Sequence, residues 1–239
     1  MKEISEITAR VLEQLPEPSS DKRDNTPQNT IPANCPACSP NARPLRTPWQ
    51  QRRINLDSRP PKIQEMADCV ESWCRNFARR GGDRVIVLVG PFGCGKTHCL
   101  RAARRYVRDV RMEIWPEPKP WNYPPTVYSC NWAEFVREAT ENDNAEIRED
   151  LLSGDVVFVD DIGAEEDRFR SGAPTRLLAD ILERIHEKRK FAFITSNVSA
   201  CGWRERWDGR VEDRLLRMDA QIVDLNGCES YSTWKLKNP

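Results

Sequence analysis

The stretch Gly90-Pro91-Phe92-Gly93-Cys94-Gly95-Lys96-Thr97 decides the fold of this chain. It matches the pattern G-x-x-x-x-G-K-[ST] at every fixed position, and loops of this pattern hold the phosphates of nucleotides. Residues 84–89, which precede it, have the length and the β-branched side chains of a buried strand. The apolar residues that follow it recur at helical spacing. The sequence therefore predicts a strand, a phosphate-binding loop and a helix, in that order.

The residue types of this loop suit the phosphates of a nucleotide. Glycines let backbone N–H groups approach the phosphate oxygens, and the start of the next helix adds unpaired donors and a partial positive charge. We predict that Lys96 lies between the β- and γ-phosphates and that the hydroxyl of Thr97 binds Mg²⁺. The whole loop is predicted to contact the nucleotide: Gly90, Pro91, Phe92, Gly93, Cys94, Gly95, Lys96 and Thr97. The alternative is a glycine-rich turn with an unrelated lysine, and the flanking strand and helix argue against it.

Two acids follow a second predicted strand. Residues 156–161 form an apolar run that ends in these acids, and ligands of parallel sheets lie at the carboxyl ends of the strands. We predict that Asp160 holds Mg²⁺ through water and that Asp161 orients and polarises the attacking water. A further predicted strand, residues 191–194, is followed by Asn197, which could hydrogen-bond the γ-phosphate or the water. A simple turn at the strand end is the alternative for this asparagine.

Composition limits the class of protein. The chain has 239 residues, and its 37 basic side chains balance 37 acidic ones, which excludes a globally basic nucleic-acid binder. No apolar run approaches the roughly 18 residues of a membrane span, and the first residues lack a signal-peptide pattern. We therefore expect a soluble, cytoplasmic protein without a membrane partner. The nine cysteines are irregularly spaced, which favours reduced thiols over a disulfide framework.

Residues 1–58 are predicted to form an N-terminal arm. Residues 2–15 have the spacing of a short amphipathic helix. Residues 16–48 are rich in proline and polar side chains, a composition that cannot bury enough apolar surface to fold. The helix either docks on its own domain or frays, or it binds a groove on a partner protein.

Two other features of the arm could bind ligands. Cys35 and Cys38 form a C-x-x-C pair, which is half of a tetrahedral zinc site. No second pair follows at the usual spacing, so we do not expect zinc there. Residues 43–59 are basic and include Trp49. This segment either follows a nucleic-acid backbone and stacks a base, or it is a solvated linker.

Together these motifs resemble those of the AAA+ ATPases, and within them the DnaC-type helicase loaders and the similar IstB-type transposition helpers. The resemblance extends over residues 60–231. It is carried, in this order, by Gly95-Lys96-Thr97-His98, Val159-Asp160-Asp161-Ile162-Gly163, Ile194-Thr195-Ser196-Asn197, Arg210-Val211-Glu212-Asp213-Arg214-Leu215 and Ser230-Tyr231. It implies a three-layer α/β P-loop NTPase fold with a parallel sheet, an AAA+ ATPase domain over residues 59–239, and no C-terminal helical lid.

The resemblance also implies roles for single residues. Asn197 would be the sensor-one residue of the family. Arg214, with Arg210 as the second candidate, would be the arginine finger that reaches the ATP of a neighbouring subunit in a homo-oligomer. Without the family, two arginines four residues apart on one helix face are more simply a surface pair with Glu212 or Asp213 nearby.

The helix after the phosphate loop could also contact DNA. Its candidate residues are Arg101, Arg104, Arg105 and Arg108. Most of them are predicted to lie opposite the apolar stripe, where they could hold single-stranded DNA through its phosphates. A solvated face balanced by Asp109 and Glu113 is the alternative.

The resemblance implies an ATPase that uses ATP and Mg²⁺ and assists the loading of a replicative helicase onto DNA. The arm would then bind the helicase. Three alternatives remain open at this point: an IstB-like helper of a transposase, a small-molecule P-loop kinase, and an adaptor that binds ATP as a switch with negligible turnover.

Overall fold

The computed structural model describes residues 48–49, 60–114, 124–141, 145–165 and 172–237. The predicted helix over residues 2–15, the C-x-x-C pair of Cys35 and Cys38, and most of the basic segment over residues 43–59 lie outside these ranges.

Strands and helices alternate along the described residues. The strands are β1 Val85–Val89, β2 Val127–Asn131, β3 Val156–Ile162, β4 Phe191–Ser196 and β5 Gln221–Asp224. The α-helices are α1 Pro61–Arg79, α2 Lys96–Ile114, α3 Trp132–Glu141, α4 Ala145–Ser153, α5 Ala173–Glu187, α6 Trp203–Arg206, α7 Asp208–Arg217 and α8 Tyr231–Lys237. A short 3₁₀ helix, Ala200–Gly202, precedes α6.

The strands form one parallel sheet in the order β2-β3-β4-β1-β5. Val87 at the middle of β1 pairs with Ile194 of β4 on one side and with Ile222 of β5 on the other. Because all the strands run in one direction, their carboxyl ends meet at a single edge of the sheet. The phosphate loop after β1, the acids of β3 and the end of β4 therefore lie along the same edge.

Apolar side chains are buried on both faces of the sheet. Helices α1 and α2 cover one face, where Trp73 packs edge-on against Phe158 and Phe193 with ring centroids 5.8 and 5.4 Å apart. Helices α3, α5 and α7 pack on the other face, which includes Trp132 and Val211. Strands that are buried between two helical layers have nearly continuous apolar sequences, which explains the apolar runs of β1, β3 and β4.

The predicted α/β class with a parallel sheet is confirmed. The strand predicted over residues 84–89 spans Val85–Val89. Strand β5 was not predicted because its sequence contains no apolar run. Only Val223 of this strand is buried. In the part of the chain that the structure describes, no helix is both long enough and apolar enough to cross a membrane.

Candidate nucleotide-binding site

The phosphate loop connects β1 to α2, and its glycines have backbone conformations that other residues rarely adopt. Gly90 has φ of 141° and Gly93 has φ of 81°. A Cβ atom on Gly93 would lie 2.7 Å from the Cβ atom of Ser230, and one on Gly90 would lie 2.7 Å from the Cβ atom of Leu225. Both positions therefore require glycine, because the segment after β5 packs directly against the loop.

The ammonium group of Lys96 is held inside the loop. It donates hydrogen bonds to the backbone oxygens of Gly90 and Pro91, at 2.7 and 2.8 Å, and to Oδ1 of Asn197, at 2.9 Å. The residue is only 6% exposed. Burial lowers the pKa of Lys96, while Cys94 and the nearby acids Asp161 and Asp160 oppose that shift. The loop thus holds a buried amine beside the tip of β4.

A chain of hydroxyl groups ties the loop to the acids of β3. The hydroxyl of Thr97 donates to Oδ1 of Asp160 at 3.0 Å. The hydroxyl of Thr195 donates to the same oxygen at 2.7 Å and accepts a hydrogen bond from the backbone N–H of Asp161 at 2.8 Å. Thr195 lies in the motif Ile194-Thr195-Ser196-Asn197, which by itself indicates no role for this hydroxyl. Its side chain fixes both acids at once, a role that becomes visible only when β3 and β4 are paired.

Asp161 has an unusual backbone conformation and a shifted pKa. Its φ of 67° lies in the left-handed region, where a residue other than glycine is strained. The side-chain amide of Asn197 donates a hydrogen bond to Oδ1 of Asp161. Burial and the negative charge of Asp160 raise the pKa of Asp161, although Lys96 and Asn197 act in the opposite direction. Asn197 lies in the bend after β4, and its side-chain amide also connects the Lys96 ammonium group to the Asp161 carboxylate.

The donor set beside the loop fits a magnesium ion. Mg²⁺ prefers oxygen ligands and usually keeps waters and substrate phosphates as its other ligands. The hydroxyl of Thr97 and the carboxylate of Asp160 offer two such oxygens 3.0 Å apart. Within the described residues, no group of three or more His, Cys, Asp or Glu side chains is placed to hold a metal by itself. A magnesium ion at this position would therefore depend on phosphate and water for its remaining ligands.

A cavity of about 450 Å³ extends from the loop to helix α1. Its far end is apolar and includes Ile63, Met66 and Ala67. Trp49 closes this end: it is 5% exposed, and its Nε1 donates to the backbone oxygen of Ala67 at 3.3 Å. Neither interpretation of the basic segment, a nucleic-acid contact or a solvated linker, predicted that Trp49 packs against α1. Burial between the loop and α1 makes it a wall of the cavity.

The two arginine-finger candidates lie away from the cavity on helix α7. Nε of Arg214 donates to Oε2 of Glu183 on α5 at 2.8 Å, and one of its guanidinium N–H groups reaches the backbone oxygen of Arg210 at 3.4 Å. Arg210 is exposed. The surface pairing expected without the family is thus only partly correct. Arg214 is paired with a neighbouring helix, whereas Glu212 is paired with Arg204.

The candidate DNA-binding arginines of helix α2 differ in how far they are exposed to solvent. Arg101, Arg105 and Arg108 are exposed, and Arg104 is half-buried. Asp109 is 4.0 Å from Arg105, which is a weak ion pair. Helix α2 thus presents an exposed basic face, as its spacing predicted.

Solved structures resemble the chain, although no family model and no curated protein sequence matches it. The DnaC helicase loader has a TM-score of 0.53 at 17% identity, covering 72% of this chain and 96% of that protein's chain. DnaI has a TM-score of 0.51 at 18% identity, over 72% and 85% of the two chains. The replication initiator DnaA bound to AMPPCP and single-stranded DNA has a TM-score of 0.52 at 16% identity, over 76% and 51%.

At these identities the likeness shows only the fold. The strand, loop and helix around Lys96 and the paired acids near the end of β3 follow one another as the motifs predicted. The chain therefore has an α/β fold similar to the folds of DnaC, DnaI and DnaA, which agrees with the resemblance of its sequence motifs.

Proposed function

We propose that this protein binds and hydrolyses ATP and acts in DNA replication as a DnaC-like loader of a replicative helicase. One observation carries the proposal: five side chains with the chemistry of ATP hydrolysis meet at the carboxyl edge of the sheet, beside the cavity. They are Lys96, Thr97, Asp160, Asp161 and Asn197. The fold is shared with a DnaC helicase loader and with a DnaA that holds AMPPCP, which supports both parts of the proposal.

The loop would receive the phosphates. Lys96 would exchange its bonds to the backbone oxygens of Gly90 and Pro91 for bonds to the β- and γ-phosphates. Thr97 and Asp160 would hold Mg²⁺, which when bound neutralises charge on the phosphates. Thr195 keeps the Asp160 carboxylate in the orientation that this requires, through the 2.7 Å hydrogen bond.

Asp161 and Asn197 would act on the attacking water. The Asp161 carboxylate is placed to accept a hydrogen bond from that water and so to orient it towards the γ-phosphate. Asn197 contacts both this carboxylate and Lys96. A hydrogen bond from Asn197 to the γ-phosphate would therefore change its bonds to both groups when the phosphate is released.

The apolar end of the cavity would bind the base. Ile63, Met66 and Ala67 of helix α1 offer an apolar surface, and Trp49 offers the face of an aromatic ring. A purine ring binds such a surface through apolar contact and stacking. We assign the adenine ring to this end because Lys96 and Thr97, which would bind the triphosphate, lie at the other end of the cavity.

The partners follow from the surfaces and the resemblance. The arm over residues 1–58 would bind the helicase. The exposed arginines of α2 would contact single-stranded DNA through phosphates: Arg101, Arg105 and Arg108, with Arg104 at their edge. Arg214, or in its place Arg210, would reach the ATP of a neighbouring subunit in a homo-oligomer.

The first experiment measures the binding and turnover of ATP by the full chain. In Lys96→Ala we expect the affinity for a fluorescent ATP analogue to fall at least about 10-fold, since a charge-assisted contact to phosphate is lost. Lys188→Ala, which changes an exposed lysine after α5, is the matched control and should equal the wild type. A wild-type protein that binds no adenine nucleotide would refute the proposal.

The second experiment separates the proposed loader from its alternatives. Deletion of residues 1–47 should abolish capture of the replicative helicase while ATP turnover persists. The deletion ends before Trp49 because this side chain packs against α1. Stimulation by a transposase instead of a helicase would indicate the transposition helper. Phosphate transfer to a soluble acceptor would indicate a kinase, and binding without turnover would indicate an adaptor.

A further inference from the structure

Glu165 is a buried carboxylate that the proposed reaction does not use directly. It lies four residues after Asp161, and its side chain is 1% exposed. Its oxygens accept hydrogen bonds from the backbone N–H of Gly163 at 2.7 Å, from Nε1 of Trp207 at 2.9 Å and from the guanidinium group of Arg206 at 3.1 Å. A buried charge persists only when donors of this kind surround it.

One end of this network holds the segment that carries Asp161. The pairing of β3 with β4 is irregular between Val159 and Ile162, so both acids lie in a local distortion of the sheet. Asp161 has φ of 67° and Gly163 has φ of 95°. Because Asp161 is not a glycine, its conformation persists only when neighbouring groups fix it. The bond from the backbone N–H of Gly163 to Glu165 fixes the carboxyl end of this distorted segment.

The other end of the network holds the start of helix α7. Arg206 ends α6, and Trp207, which is 1% exposed, directly precedes α7. A guanidinium N–H of Arg206 also donates to the backbone oxygen of Glu165 at 2.8 Å. Helix α7 carries the arginine-finger candidates Arg210 and Arg214. Glu165 therefore contacts both the segment of the acid and the base of the helix that bears the arginines.

We propose that Glu165 is a positioning residue that couples helix α7 to Asp161, so that a displacement of α7 against a neighbouring subunit changes the rate of ATP hydrolysis. This inference rests on the proposed function. The simpler interpretation is that Glu165 only stabilises the fold. The two interpretations differ in what they predict for nucleotide affinity, turnover and the response of α7 to nucleotide.

The test uses Glu165→Gln in the full chain. Glutamine keeps the size of the side chain, but its NH₂ group cannot accept a hydrogen bond, so it must face either Gly163 or the donors at α7. We expect kcat to fall about 10-fold or more and the affinity for a fluorescent ATP analogue to stay within about 2-fold. Glu149→Gln is the matched control, because Glu149 is an exposed carboxylate with one guanidinium partner, Arg184, at 3.2 Å.

Two further measurements separate positioning from stability. The first is the ATP turnover of the double variant. If Glu165 acts through Asp161, the double variant Asp161→Asn, Glu165→Gln should have the same residual turnover as Asp161→Asn alone. Hydrogen exchange over residues 203–217 should change when wild-type protein binds a non-hydrolysable ATP analogue, and that change should be absent in Glu165→Gln. If Glu165→Gln does not fold, Arg206→Ala removes the partly exposed guanidinium donor at the α7 end and should show the same separation of kcat from affinity.

Three outcomes would overturn the inference. The first is an unchanged kcat in Glu165→Gln. The second is a double variant whose turnover is lower than that of Asp161→Asn alone. The third is a nucleotide-dependent change in hydrogen exchange over residues 203–217 that is still present in Glu165→Gln. With an active wild type, any of them refutes the role of Glu165 and leaves the proposed function intact. A wild type that neither binds nor hydrolyses ATP would refute the proposed function, and this inference with it.

Discussion

The ion pair between Arg214 and Glu183 allows a direct test of the arginine-finger role. Nε and Oε2 are 2.8 Å apart, and the side chains are 19% and 31% exposed. An ion pair with this exposure contributes about 1 kcal/mol to the free energy of unfolding. An arginine finger contributes roughly 10³- to 10⁵-fold in rate, or about 4 to 7 kcal/mol of transition-state stabilisation. The structural and catalytic roles thus predict effects of very different size.

The perturbation is a pair of substitutions that break the same contact from opposite sides. Arg214→Ala removes the guanidinium group, whereas Glu183→Gln removes the charge of its partner and leaves the arginine in place. If Arg214 is the finger, Arg214→Ala should lower ATP turnover by about 1,000-fold or more. Glu183→Gln should leave turnover within about 3-fold of the wild type, since it removes only the ion pair.

Loss of folded protein cannot produce the larger effect. A typical domain is stable by about 5 to 15 kcal/mol, so a loss of about 1 kcal/mol leaves more than about 99% of the molecules folded. Thermal unfolding of both variants checks this point. Steady-state ATP hydrolysis at several protein concentrations is the activity assay, because a finger in trans requires association of subunits.

Mixing of subunits completes the test. Arg214→Ala mixed with Asp161→Asn should recover part of the turnover, because some interfaces then combine an intact arginine with an intact acid. Equal turnover in Arg214→Ala and Glu183→Gln would show that the arginine serves only the ion pair. Turnover that is unaffected by Arg214→Ala and independent of protein concentration would refute an inter-subunit finger at this position.

Three other predictions follow from single contacts. Thr195→Val keeps the side-chain volume but removes the hydroxyl that orients both acids, so ATP turnover should fall about 10-fold and stability by about 1 to 2 kcal/mol; unchanged kinetics would contradict the bridging role. Gly93→Ala would place a Cβ 2.7 Å from a serine side chain at φ of 81°, so thermal unfolding should show a loss of about 1 to 3 kcal/mol. Gly209→Ala, where a Cβ meets nothing within 4 Å, should show no such loss. Burial raises the pKa of Cys130 to about 12, so at about pH 8 iodoacetamide should label exposed Cys201 well before Cys130, as mass spectrometry of the peptides would show.

The fold class could be predicted because its signals are local. The loop around Lys96 and the acids near the end of β3 each need only a short stretch of sequence, and the buried parts of β1 and β3 are unbroken apolar runs. Strand β5 has one buried side chain, Val223, so its sequence carries no comparable signal. Its place at the edge of the sheet depends on pairing with β1, which is more than a hundred residues earlier in the chain.

The candidate site also has features that the sequence predicts and features that depend on contacts between distant segments. The sequence by itself determined the chemistry of the site: an amine, a hydroxyl, two carboxylates and an amide at Lys96, Thr97, Asp160, Asp161 and Asn197. The surroundings of these groups depend on tertiary structure. The hydroxyl of Thr195 contacts both acids, the indole of Trp49 lines the end of the cavity, and the carboxylate of Glu165 connects the acid segment to α7. A motif records residues that lie a few positions apart, whereas hydrogen bonds and packing act between atoms that are brought together from distant parts of the chain. The sheet supplies that proximity because parallel strands direct all their carboxyl ends to one edge.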